Sequence, residues 1–139
     1  MKYLECQKEL GMENGEISDR QISASSQLDA RHAATQGRLN LTATGNKAES
    51  WSALINDLSQ WLQVDLVSPY TKVTRVATQG RKDPPQWVTK YKLQFSNDGV
   101  KFHYYTDPMQ IGSRVEYVYW TLNFGLGLGL YDNNNRISE

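Results

Sequence analysis

The chain has 139 residues, with 15 Lys and Arg against 15 Asp and Glu, two His and one Cys. That length suits one domain able to bury a core, and the zero net charge removes the simplest argument for nucleic acid or an anionic membrane. No run approaches the roughly 18 apolar residues of a membrane span, residues 1–7 lack a secretory signal's apolar stretch, and one cysteine leaves the redox compartment open.

The aromatic residues are unevenly placed: only Tyr3 precedes Trp51. Residues 7–50 read as polar and turn-rich, with weak strand signals at 22–25 and 38–41 and a short helical turn over 29–34. A second helical turn is expected over 54–58. From residue 61 the strand signals are clear. Leu62, Val64 and Leu66 alternate with Gln63 and Asp65, and Ser68-Pro69 closes that run because proline supplies no ladder donor. Residues 72–78 are rich in β-branched side chains, and 79–85, with Gly80, Pro84 and Pro85, form a loop. Residues 88–96 alternate again, with Tyr91, Leu93 and Phe95 facing inward. Asn97-Asp98-Gly99 predicts a hairpin, and Val100, Phe102 and Tyr104 mark its return strand. Short strands joined by turn-rich loops predict an all-β, antiparallel sandwich or barrel.

The chemistry of catalysis is absent from the pattern. His32, His103 and Cys6 are far apart, and no HExxH, CxxC or EF-hand loop occurs. No metal site is expected, and no cofactor is required; calcium held by loop oxygens is left open. The alternation Gly125-Leu126-Gly127-Leu128-Gly129-Leu130 lacks the third glycine of a dinucleotide turn. No nucleophile, base and orienting group assemble, so the chain is not expected to be an enzyme. Asn40-Leu41-Thr42 is an N-glycosylation sequon, which makes Asn40 a modification candidate and mildly favours a secreted route.

Six segments in order carry a specific resemblance. They are CQKELGMENGEI (6–17), ISASSQ (22–27), GRLN (37–40), WLQVDL (61–66), TQGR (78–81) and WVTKYK (87–92), with SNDG (96–99) following. Together they resemble the coagulation factor 5/8 type C, or discoidin, domain over residues 6–105. The resemblance implies a jelly-roll, galactose-binding-like β-sandwich of about eight strands, normally extracellular or at the cell surface. It implies binding without catalysis, through loops at one end of the sandwich, here 26–36, 44–50 and 81–86. The expected partners are a glycan, a glycoprotein or an extracellular matrix protein, in an adhesion or recognition role. The alternatives are a collagen-like or anionic-phospholipid binding module, or a non-binding spacer in a multidomain matrix protein; nucleic acid is not expected.

Within that frame Trp61, Leu62, Val64, Leu66, Val76, Trp87, Tyr91 and Leu93 are expected in the core, with Gly80 supplying a turn, Trp51 anchoring a loop, and Arg38 and Asp65 in structural roles. The ligand-binding candidates are the loop residues Gln27, Leu28, Asp29, Arg31, His32, Arg81, Lys82 and Asp83. The first loop carries only Leu28 where lipid- and collagen-binding relatives carry bulky residues, so membrane lipid is the less favoured partner. Arg81 matches a position that lines the ligand trench in some matrix-binding relatives.

The pattern breaks after Tyr105. The family's Phe-x-Gly-Asn and Ala-Arg-Tyr-Ile-Arg segments are missing, and Arg114-Val115-Glu116-Tyr117 leads into Val118-Tyr119-Trp120 rather than Gly-Cys. The closing cysteine that the resemblance would pair with Cys6 is absent. Residues 106–139 are therefore expected to replace the usual end of the domain. The preferred explanation is a truncated or mis-spliced gene model lacking its closing strands; the other is divergent strands over 115–122 and 125–130.

Overall fold

The computed structural model describes residues 8–68, 71, 73, 75–89, 91–105, 117–122 and 127–132. Its strands are β1 (Lys8–Glu9), β2 (Ile22–Ala24), β3 (Trp61–Asp65), β4 (Arg75–Gln79), β5 (Tyr91–Ser96), β6 (His103–Tyr104), β7 (Tyr117–Leu122) and β8 (Gly127–Asp132). They form a five-stranded sheet in the order β2-β3-β7-β5-β6 and a three-stranded sheet in the order β1-β8-β4. Every pairing is antiparallel. This is the all-β sandwich that the alternating pattern predicts.

β3 forms where period-two alternation is cleanest, and its burial follows it: Leu62 and Val64 are fully buried while Trp61, Gln63 and Asp65 are half-buried. The core gathers Met12, Ile17, Ile22, Ala34, Trp51, Ala53, Leu62 and Val64, with Leu66, Val76, Leu93 and Phe95 packed at its margin. Large apolar side chains of this kind each contribute about 1.5–3 kcal/mol on burial.

Two expected core residues lie elsewhere. Trp87 is 63% exposed and Tyr91 is also exposed. The bridge between Arg81 and Gln86 sets Gly80 against Trp87, where an added Cβ on Gly80 would lie 2.7 Å from the Trp87 Cβ and 2.9 Å from the Gln86 carbonyl. Gly80 is thus required by close approach. The Trp87 stem packs on glycine backbone, outside any strand, and the residue remains in solvent.

The weaker local signals divide. Residues 22–24 form β2, whereas 38–41 hold a single bridge and a turn. The turn expected over 29–34 resolves into two short 3-10 turns, Ala30–His32 and Ala34–Gln36, and 54–58 form bends without a helix. The predicted hairpin is present, but its return strand shortens to His103–Tyr104, paired with Phe95 and Gln94. Ser96 and Asp98 shape the turn: Ser96 Oγ accepts the Asp98 and Gly99 N–H groups, and Asp98 Oδ1 accepts those of Val100 and Lys101 at 2.8 Å each.

The C-terminal strands hold places inside both sheets. β7 pairs with β3 over Trp61↔Thr121 to Asp65↔Tyr117 and with β5 over Tyr91↔Leu122 to Ser96↔Tyr117. β8 lies between β1 and β4. Cys6, Arg114, Val115, Glu116 and the polar tail beyond Asp132 lie outside the described residues.

Candidate functional site

Three loops meet through hydrogen bonds made by the middle one. Residues 44–50 begin with a tight turn in which Thr44 and Lys47 exchange backbone bonds, and Gly45 takes φ 56, a conformation that a Cβ disfavours. Toward loop 26–36, the Ala48 N–H donates to the Arg31 carbonyl at 2.9 Å and Arg31 Nε donates to the Asn46 carbonyl at 3.2 Å. Gln36 Nε2, buried, donates to the Ala48 carbonyl at 2.6 Å. Toward loop 81–86, Glu49 Oε1 accepts the Lys82 N–H at 2.6 Å and the Asp83 N–H at 3.1 Å. Charge-assisted bonds to backbone amides are among the stronger hydrogen bonds, so Glu49 is the clasp that holds the third loop to the second.

Asp29 organises the first loop. As N-cap of the turn Ala30–His32, its Oδ1 accepts the Arg31 N–H at 2.8 Å and the His32 N–H at 3.0 Å. The same oxygen accepts from His32 Nδ1 at 2.7 Å, the tautomer that a carboxylate selects. That side-chain bond, aided by the backbone donors, holds the Asp29 carboxyl below the usual carboxylate range. His32 is buried beneath the loop, its Nε2 without a hydrogen-bond partner. Trp51 is completely buried and its Nε1–H donates to the Ser26 carbonyl at 2.9 Å, the loop anchor that the sequence suggests.

The candidate residues therefore separate by what their side chains already do. Arg81 closes its own loop, with Nη1 donating to Gln86 Oε1 at 3.2 Å and Nη2 to the Asp83 carbonyl at 3.0 Å, while its buried Nε is unpartnered. Asp29, Arg31 and His32 are committed to loop structure. Gln27, Lys82 and Asp83 are exposed, and among the described residues their side-chain polar groups carry no hydrogen bond. Leu28 is partly exposed, its N–H donating to the Ser52 carbonyl at 2.8 Å. Asn40 is exposed at φ 56, and its Nδ2 donates to Glu13 Oε1 at 2.8 Å. Arg38 bonds the Met12 carbonyl at 2.9 Å and pairs with Asp19 at 2.7 Å, while Asp65 caps its own turn at the Val67 N–H. Among the described residues no group of three or more His, Cys, Asp or Glu side chains could hold a metal ion.

Sequence reasoning passed over Glu49 and Gln36, because a glutamate or amide in a polar loop carries no local mark of the backbone it will meet, and over Asn46, which takes part only through its backbone carbonyl. It also passed over Leu54, Ile55 and Leu58, whose spacing reads as helical but which lie exposed in a loop.

Comparison with known proteins agrees with this architecture. The model of the F5/8 type C domain family matches residues 21–124. The chain is 43% identical over 115 residues to the human EGF-like repeat and discoidin I-like domain-containing protein 3, which covers 79% of this chain and 24% of that protein. It is 31% identical over 136 residues to mouse retinoschisin, covering 94% of this chain and 53% of the relative. It thus spans about a quarter to a half of these relatives' length. Among solved structures, discoidin II of Dictyostelium discoideum superposes with a TM-score of 0.71 at 22% identity, over 83% of this chain and 56% of that one. The chain belongs to the F5/8 type C, or discoidin, domain family.

Proposed function

We propose that this F5/8 type C domain is an extracellular or cell-surface adhesion module that binds a glycan or glycoprotein at its three-loop end, without catalysis. The observation that carries the reading is the division of labour among the loop residues. Asp29, Arg31, Arg81 and Glu49 make hydrogen bonds that fasten the loops, which leaves the side chains of Gln27, Lys82 and Asp83 available on a braced backbone. Held loop backbone supports recognition of sugar hydroxyls, because it lowers the entropy lost in ordering the loops on binding. The exposed sequon at Asn40 supports a secreted setting.

A glycan array with the folded chain tests the proposal. Binding is expected to fall about tenfold or more on Lys82→Ala or Asp83→Ala, in line with the loss of one charge-assisted hydrogen bond. Arg81→Ala and Asp29→Ala should act as strongly by releasing their loops. A blank array with a cooperatively folded protein would remove the glycan reading and move the matrix-protein alternative to the front.

A further inference from the structure

Asn40-Leu41-Thr42 is the single Asn-x-Ser/Thr triplet in the chain, and its middle position is not proline. Such triplets arise by chance, so the place in the fold decides whether one can carry a sugar. Asn40 and Thr42 are both exposed, and the exposed run continues through Lys47. Asn40 takes φ 56, a left-handed turn conformation that asparagine tolerates better than most residues. Its side chain lies against Glu13, whose Oε1 accepts from Asn40 Nδ2 at 2.8 Å. The Asn40 N–H donates to Gln79 Oε1 at 2.8 Å, which fixes the residue beside the last position of β4.

We propose that Asn40 carries an N-linked oligosaccharide, rooted between Glu13 and Gln79 and standing at the outer edge of the three-stranded sheet. The inference rests on the extracellular reading, because the donor is a lipid-diphosphate oligosaccharide of the secretory lumen. In the transfer a bond forms between Nδ2 and the anomeric carbon of the first sugar. The bond from that carbon to the diphosphate oxygen breaks, lipid diphosphate leaves, and the displaced amide proton passes to a base. One hydrogen remains on Nδ2, enough to keep the bond to Glu13 Oε1. The position gives the sugar a structural use. β4 is the outer strand of the order β1-β8-β4, with Arg75, Thr78 and Gln79 exposed. Outer strands offer backbone groups to other chains, and native proteins cover or blunt them. A bulky, hydrated glycan beside the end of β4 does this by excluding other strands from it.

The full 1–139 chain, led into a eukaryotic secretory pathway by a cleavable leader, is weighed by intact mass spectrometry before and after peptide-N-glycosidase in heavy-oxygen water. Most molecules are expected to carry a single glycan, which the enzyme removes with heavy oxygen left at position 40. Thr42→Ala should abolish the mass gain while leaving Asn40 in its turn. Asn40→Gln should abolish it too, and the threonine variant keeps the test sound if glutamine strains the left-handed backbone. A secreted chain with position 40 bare, or a mass gain that survives both variants, would overturn the proposal and leave the extracellular reading in place. A blank glycan array, by contrast, would remove the binding reading without touching this site. For the edge, light scattering compares the glycosylated chain with Thr42→Ala, each held at the same interval below its melting midpoint. The bare chain is expected to aggregate about threefold faster or more, and equal rates would overturn the edge role.

Discussion

Asp98 shows how a single side chain can set a measurable property of the molecule. The N–H groups of Lys101 and Val100, with the Ser96 hydroxyl, favour its ionised form and bring its carboxyl down to about 2 from the ordinary 3.8. The folded state therefore binds fewer protons than the unfolded chain between those values, and stability rises with pH there. The contribution is complete above pH 3.8 and is lost as pH falls toward 2. Asp98→Asn is expected to flatten that part of the acid-unfolding profile, as followed by circular dichroism. Glu49 makes a complementary case, since its carboxylate holds two backbone amides of another loop. Glu49→Ala should cost about 1–3 kcal/mol in local stability and speed hydrogen exchange at Lys82 and Asp83, with Glu49→Gln recovering part of the protection. The Asn-Asp-Gly turn was legible in sequence because its signals are adjacent. Glu49 was not, because its partners lie more than thirty residues away.

At the scale of elements, legibility follows how much of an element's burial is decided by its own alternation. β3 obeys the pattern because it lies inside the five-stranded sheet with a packed face. β5 obeys it poorly: Tyr91 and Lys92 are both exposed, and burial increases only toward Ser96. The short β6 beside it is the sheet edge, which leaves little to cover its outer end. Trp87 is the sharper miss. An indole next to an alternating run reads as core, yet the pairing across the 81–86 loop sets it against Gly80. Gly80→Ala is expected to destabilise by about 1–3 kcal/mol through overpacking against Trp87 and the Gln86 carbonyl, read as a lowered midpoint in denaturant at unchanged slope. The helical spacing of Leu54, Ile55 and Leu58 misled for a related reason. Three residues on one turn do not nucleate a helix when no packed face receives them.

For the whole molecule, the consequential feature is the place of β7 and β8. Each lies between two strands formed by earlier parts of the chain. Removing β7 would leave facing edges on β3 and β5 with unpaired backbone groups, which is costly and promotes aggregation. The place of β7 and β8 supports the proposal that the chain beyond Tyr105 closes the domain with divergent strands rather than a foreign tail. A chain ending at Tyr105 is expected to lose cooperative thermal unfolding and near-ultraviolet signal, while the 1–139 chain melts in one transition. A broad, featureless melt of the longer chain would favour the incomplete-domain explanation instead.

By itself the sequence determined what local alternation, turn chemistry and motif order can encode: an all-β sandwich, its family, the core strand at Trp61–Asp65 and the Asn97-Asp98-Gly99 turn. Those signals act between near neighbours, or repeat a pattern common to the family. The tertiary structure alone decided which loop residues are braces and which remain available, that Trp87 lies in solvent, and that the Leu28 and Leu54 loops are joined through Ser26 and Ser52. It alone also gave the Gly-Leu and aromatic strands their partners. Each of these depends on contacts between residues distant along the chain, and burial, hydrogen bonding and strand pairing at such distances are properties of the fold.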